Sequence, residues 1–297
     1  MWILLALGSN FSWAIENVYT KAVIGSKIKN PYVFLILIST LSVVVLPFIG
    51  TKYVVVPPGN AIWWIWLASL FYTLGGFPYV KAMEMEEVTR INILWNAIPV
   101  FSLILGWLII GDKISGMEFL AMILLLSGAI VASFKKNNSK FKLSTAFWLM
   151  MVACFTYAAY GLVIRYISKT VPFPTIFFWV LFFDAITILF SLFVKQIRQD
   201  FVQTVRSNNL ASLGLFLVIV VIGNFGIYLN QWALSLKAGA LVYSFEGFQV
   251  LFVSILALLA VKIIPGFVAE SLDRKNIMLK LLAFLLVMEG LVILSLW

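Results

Sequence analysis

The stretch Phe11-Ser12-Trp13-Ala14, followed by Lys21, returns as Phe155-Thr156-Tyr157-Ala158, followed by Arg165. Each position of the pattern recurs 144 residues downstream. Each copy lies on a long apolar segment and opens a block of five such segments, so the chain reads as five spans duplicated into ten. An odd number of spans per block makes the second copy enter the membrane upside down relative to the first. Inverted repeats of this kind build two gates around one midplane site in secondary transporters. The expected fold is an all-α membrane protein of ten transmembrane helices, arranged as two inverted five-helix repeats.

Composition leaves few other classes open. The 297 residues are 63% hydrophobic and 11% charged, with a mean hydropathy of +1.06. A soluble domain of this length needs far more charge to cover its surface. The apolar runs are continuous and long enough for helices, which need roughly 20 residues to cross a hydrocarbon core. They lack the alternation that a barrel strand shows.

The pattern predicts spans over 2–24, 32–49, 61–83, 88–110 and 117–134, then over 144–167, 173–194, 210–236, 239–263 and 277–296. Residues 1–134 form the first repeat and 144–297 the second. The polar stretch 135–143, with Lys135-Lys136-Asn137-Asn138-Ser139-Lys140, is the linker. Span 1 carries Asn10, Glu16 and Asn17 and no basic n-region, so it reads as a permanent span rather than a signal peptide.

Sixteen of the 21 basic residues fall in alternate loops, a positive-inside bias that puts those loops in the cytoplasm and both termini outside. The net charge of +9 is thereby a membrane signature, and nucleic acid is not an expected partner. The chain has no His, which removes His ligands, His relays and His-based triads, and its lone Cys154 allows no intrachain disulfide. No cofactor or metal pattern is present, so a non-enzymatic, multi-pass protein of the cell membrane is expected.

A second stretch adds a family. Thr89-Arg90-Ile91-Asn92-Ile93-Leu94-Trp95-Asn96-Ala97-Ile98-Pro99-Val100-Phe101 runs on to Gly111-Asp112-Lys113, and Gly128 follows in the next span. An apolar helix with a Pro-Val-Phe centre, a Gly-acid pair and a downstream Gly resembles the EamA-type ten-helix members of the drug/metabolite transporter superfamily. In the second copy Phe252 aligns with Phe101, but Val250 replaces Pro99, and a longer segment through Pro265, Gly266 and Glu270 replaces the Gly-acid turn. The resemblance implies export of a small metabolite through a central cavity, in exchange for protons or down a gradient. It also implies cytoplasmic termini, against the charge bias.

Polar stripes mark where such a cavity would lie. Asn92, Trp95, Asn96 and Pro99 share one helical face on span 4, and Asn224, Tyr228 and Gln231 one face on span 8. Span 1 offers Trp13, Glu16, Asn17 and Thr20, span 6 Tyr157 and Tyr160, and span 9 Tyr243, Glu246 and Gln249. Unsatisfied polar atoms in hydrocarbon cost roughly 2–7 kcal/mol, so these stripes face protein or water. The same amides also serve as interhelical glue, worth about 0.6 kcal/mol each.

The substrate-binding candidates are therefore Trp13, Asn17, Asn92, Trp95, Asn96, Tyr157, Tyr160, Asn224, Tyr228, Gln231, Tyr243 and Glu246. Glu246, near the middle of span 9, and Glu16 are the proton-coupling candidates, because an ionised acid there costs about 2.5–3.5 kcal/mol. Asp184 and Glu289 read as packing contacts on peripheral spans, and Lys21 and Arg165 as snorkelling cations. Glu84, Glu86 and Glu87 read as a solvated turn, with a gate as the alternative. The expected function is secondary transport of a small metabolite such as an amino acid, in the lipid bilayer, with protons as the candidate coupling ion. A non-transporting scaffold or channel is the alternative.

Overall fold

The computed structural model describes residues 1–24, 28–48, 55–111, 115–133, 143–207, 210–237, 239–243, 245–263 and 274–296. The described residues are mostly helical, and no strand is found among them. Helices α1 (Trp2–Val23), α2 (Pro31–Leu41), α3 (Ala61–Met85), α4 (Val88–Trp95), α5 (Ile98–Leu105) and α6 (Gly116–Ser133) make the first half. The second comprises α7 (Thr145–Ile167), α8 (Phe173–Leu189), α9 (Lys195–Ser207), α10 (Leu210–Leu236), α11 (Gly239–Tyr243), α12 (Glu246–Ile263) and α13 (Arg274–Leu296). Short 3-10 turns, Ser42–Phe48 and Phe190–Phe193, extend α2 and α8.

Seven of these stretches have the length and hydropathy to cross a membrane. The segments α1, α6 and α13 fall outside that set, so seven candidate spans are found among the described residues where ten were expected. The helix that the hydropathy reading did not anticipate is α9. The linker 135–142, Asp112 of the Gly-acid pair and the Pro265–Glu270 segment lie outside the described residues.

Local chemistry sets the boundaries. Asn30 caps α2 by accepting from the Tyr32 N–H at 3.0 Å, and Pro31 fills the first helical position, where its missing N–H costs nothing. Ser144 caps α7 through the Phe147 N–H at 3.2 Å. Gly111, at φ 81°, ends the turn that follows α5 in the left-handed conformation glycine tolerates. Pro99 offers no N–H to the Trp95 carbonyl and its ring crowds that oxygen, so the fourth span is broken into α4 and α5. The corresponding span of the second half is broken into α11 and α12 without a proline.

The halves interleave. Helix α1 packs on α10 and α12, α7 packs on α3 and α5, α2 on α8, and α6 on α13. The contacts recur in exchanged pairs. Thr73 Oγ1 on α3 donates to Asp184 Oδ1 on α8 at 2.6 Å, while Asn224 Nδ2 on α10 donates to Ser42 Oγ beyond α2 at 2.8 Å. Asn10 Nδ2 on α1 donates to the Phe245 carbonyl between α11 and α12 at 2.9 Å, and the Cys154 thiol on α7 donates to the Leu94 carbonyl ahead of the α4–α5 break at 3.4 Å.

Glycines repeat the exchange. A Cβ on Gly75 would lie 2.8 Å from the Tyr157 ring, and one on Gly226 would lie 2.8 Å from the Trp13 ring. On the α6–α13 seam, a Cβ on Gly128 would meet the Ala283 carbonyl at 2.9 Å, and one on Gly290 the Ala121 carbonyl at 3.0 Å. Because both neighbours there are backbone, the helices must part to admit a methyl. Gly128→Ala is expected to cost about 1–3 kcal/mol, seen as a lower Tm in detergent. Gly214→Ala, where a Cβ meets nothing within 4 Å, serves as the control and should be neutral or slightly stabilising.

Candidate substrate cavity

A cavity opens between the halves, with about 110 Å³ in which the centre of a water-sized sphere can sit. Helices α1, α2, α3, α7 and α10 wall it, and the two broken helices reach it at their breaks. At both breaks the irregular backbone lies inside protein, as a helix break within a bilayer requires.

Its walls are aromatic. The Trp95 ring lies 5.0 Å from the Tyr79 ring and 5.0 Å from that of Tyr157, the latter edge-on at 89°. Tyr72 sits 5.5 Å from both Tyr157 and Tyr160. Gly161 removes the side chain that would otherwise block the Tyr243 phenol, and so lets α11 approach α7.

Three carboxylates line the same space: Glu16 from α1, Asp184 from α8 and Glu246 from the first turn of α12. Among the described residues lining it there is no Lys or Arg. Asp184 holds the Thr73 hydroxyl. Glu16 fits against Gly223, where a Cβ would stand 2.7 Å from Oε2. Glu246 is 4% exposed, and its Oε2 has no hydrogen-bond partner among the described residues. An unpaired carboxylate in so dry a place is stable only with a proton or a cation beside it.

The structure gathers Trp13, Glu16, Asn17, Trp95, Tyr157, Tyr160, Tyr243 and Glu246 around the cavity, with Thr20 and Gln249. Asn92, Asn96, Asn224, Tyr228 and Gln231 stand outside its lining. Asn92 Oδ1 accepts from Asn17 Nδ2 and Gln249 Nε2, each at 2.9 Å, and Tyr79 OH donates to Asn17 Oδ1 at 2.7 Å. Asn92 thus ties α1, α4 and α12 together directly behind the wall, and α3 joins through Tyr79. Asn96 Nδ2 donates to the Asn92 and Ile93 carbonyls at the helix break. Gln231 Nε2 donates to Tyr160 OH at 2.8 Å, and Tyr228 packs edge-on against Phe173 and Phe177. On α10 the face turned to the cavity carries Ile227 and Asn230, one position off the Asn224–Gln231 stripe.

Three other expectations change. Asp184 lines the cavity instead of packing peripherally, while Glu289 is exposed. Lys21 Nζ donates to the Met83 and Glu86 carbonyls at the end of α3, both at 2.7 Å. Arg165 Nη1 donates to the Ser235 carbonyl at 2.8 Å near the end of α10. Both cations cap helix C-termini rather than reaching for the interface. Glu86 is buried beside Arg90, whose Nε lies 3.8 Å from its carboxylate and 3.6 Å from that of Glu87, so this corner is no solvated turn. Only Glu84, bonded to Lys81 at 2.6 Å, fits that description.

Tyr72, Thr73 and Tyr79 were not foreseen. Their signal was Tyr72, Gly76 and Tyr79 at i, i+4 and i+7 on α3, a stripe as regular as those on spans 4 and 8.

With fold and cavity in view, known proteins supply a name for the first half. Residues 1–134 match the EamA-like transporter family. The EamA match bears out the resemblance carried by the Pro99–Phe101 stretch. The match covers the first half of the chain alone, and the apolar helices within it and beyond it are those of an integral membrane protein. No curated protein matches the sequence. A solved chain described only as the crystal structure of a protein superposes with a TM-score of 0.62 at 15% identity, over 99% of this chain and 96% of that one. That likeness concerns the fold alone.

The amide junction behind the cavity gives a direct test. Asn92→Leu leaves the Asn17 and Gln249 donors without their acceptor, at an expected cost of about 1–3 kcal/mol. Thermal unfolding should register that loss as a lower Tm.

Proposed function

We propose that the chain is a secondary transporter that exports a small metabolite bearing an ammonium group, such as an amino acid, by alternating access around the central cavity. In this reading residues 144–297 form a second EamA-like block, joined to the first through 135–143 and inverted against it. The exchanged pairs support the inversion. Thr73 with Asp184 mirrors Asn224 with Ser42, and Gly128 on Ala283 mirrors Gly290 on Ala121. Contacts of the form i-to-j′ and j-to-i′ are what a two-fold relation between halves generates.

The observation that carries the substrate class is the wall itself: three carboxylates, seven tryptophan and tyrosine rings, and no basic side chain among the described lining residues. Rings present their negative faces to a cation, and a carboxylate supplies the counter-charge. Glu246 is the residue that would hold the ammonium, and Trp95 the ring that would cover it. A proton can take the same place on Glu246, so substrate and proton would compete for one carboxylate. That competition is a simple means of exchange.

Thermal stabilisation of the purified protein against amino acids, organic amines, nucleosides and sugar phosphates tests the reading. A ligand at 100 times its Kd adds about 2.7 kcal/mol to the native state. An amine should stabilise the wild type, and the shift should vanish in Glu246→Gln and shrink in Trp95→Ala. Stabilisation by sugar phosphates alone, or an amine shift that survives Glu246→Gln, would refute the assignment.

A further inference from the structure

Helix α9 takes no part in the cavity, and none of its residues is fully buried in the bundle. Thirteen residues are too few to hold a helix in water unaided, since isolated helices below about 12–15 residues are marginal. Something must support it. One contribution is visible: Asp200 accepts from Asn30 Nδ2 at 2.7 Å and from Gln196 Nε2 at 3.0 Å, and Phe201 packs partly against the core.

The outer face is of a different kind. Val194 just ahead of the helix, with Arg198, Val202 and Val205, lies along one edge, and Lys195 and Arg206 flank it. All six are exposed, the valines by 53%, 41% and 41%. Arg198, Val202 and Arg206, spaced at i, i+4 and i+8, border a shallow groove with Gln199 and Gln203. The face continues from the lipid-facing end of α8, where Phe190 and Phe193 are 62% and 81% exposed. Because α9 begins two residues after the span ends at Phe193, it starts where the chain leaves the hydrocarbon.

We propose that α9 is seated in the headgroup layer of an anionic leaflet, its valines at the acyl boundary and Lys195, Arg198 and Arg206 on lipid phosphates. Apolar residues interleaved with cations at this depth match the surface-lying helices that bind by buried area plus charge. The charge complementarity selects anionic lipid over zwitterionic lipid. The anchor has a route inward. Asn30 holds Asp200 with its amide nitrogen while its oxygen caps α2, and α2 contributes Phe34, Leu35 and Ile38 to the cavity wall.

The test uses the full-length chain with a fluorophore on Val202→Cys, the native Cys154 being buried. Vesicles are phosphatidylcholine alone or an equal mixture with phosphatidylglycerol, each carrying headgroup spin labels as quenchers. A basic residue near an anionic surface contributes about fivefold in association. The probe should therefore prefer labelled phosphatidylglycerol by about fivefold or more at low salt. That preference should fall to within about twofold of unity in the K195Q/R198Q/R206Q variant and at high salt. Aqueous iodide should quench the probe less in the mixed vesicles. No preference in the wild type, an unchanged preference in the triple variant, or equal iodide access in both vesicles would each overturn the proposal. None of these readouts depends on a transported substrate, so the result stands apart from the substrate assignment.

Discussion

A backbone carbonyl released inside a bilayer has no water to turn to, and the architecture follows from how each released carbonyl is met. The break after Trp95 frees carbonyls to which the Cys154 thiol donates, and the break before Glu246 exposes the Phe245 carbonyl to which Asn10 Nδ2 donates. Lys21 and Arg165 serve the ends of α3 and α10 in the same way. All four partners sit on α1 and α7, the helices that carry the duplicated pattern. Those two helices are thus the struts against which the broken and capped helices are placed. A cavity at the breaks is the consequence.

That placement explains why the cavity is acidic and aromatic together. Glu246 stands in the first turn of α12, where the helix N-terminus favours a negative charge. Glu16 is admitted only because Gly223 has no side chain opposite it. The rings of Trp95, Tyr79, Tyr157, Tyr72 and Tyr160 then close the space from both halves. Behind them the amides of Asn17, Asn92 and Gln249 fix the wall without competing for its occupant.

Helix positions were legible because apolar run length and proline placement act locally: the bounds of α3, α7 and α10 follow from composition and caps alone. The proposed duplication rests on a sequence signal, Trp13 and Lys21 recurring as Tyr157 and Arg165. The facing of the stripes was not legible. Asn224 and Gln231 share a face with period 3.6, but periodicity does not say whether that face meets water or a neighbour, and each found a neighbour. Asp184 was misjudged because it is the one charged residue of an apolar helix, and its partner Thr73 lies 111 positions away with no signature in sequence. Helix α9 escaped because a hydropathy reading seeks long apolar runs, whereas its apolar residues occupy one edge of a polar helix.

The central claim is that one cavity serves both sides of the membrane in turn. Ile227 lines it and makes no polar contact there, so Ile227→Cys reports access without disturbing the carboxylates. Membrane-impermeant thiol reagents applied separately to each face of sealed vesicles of fixed orientation measure that access directly. The account predicts modification from either face, with a saturating transported amine shifting the ratio of the two rates. Modification from one face only, under every condition tried, would contradict it.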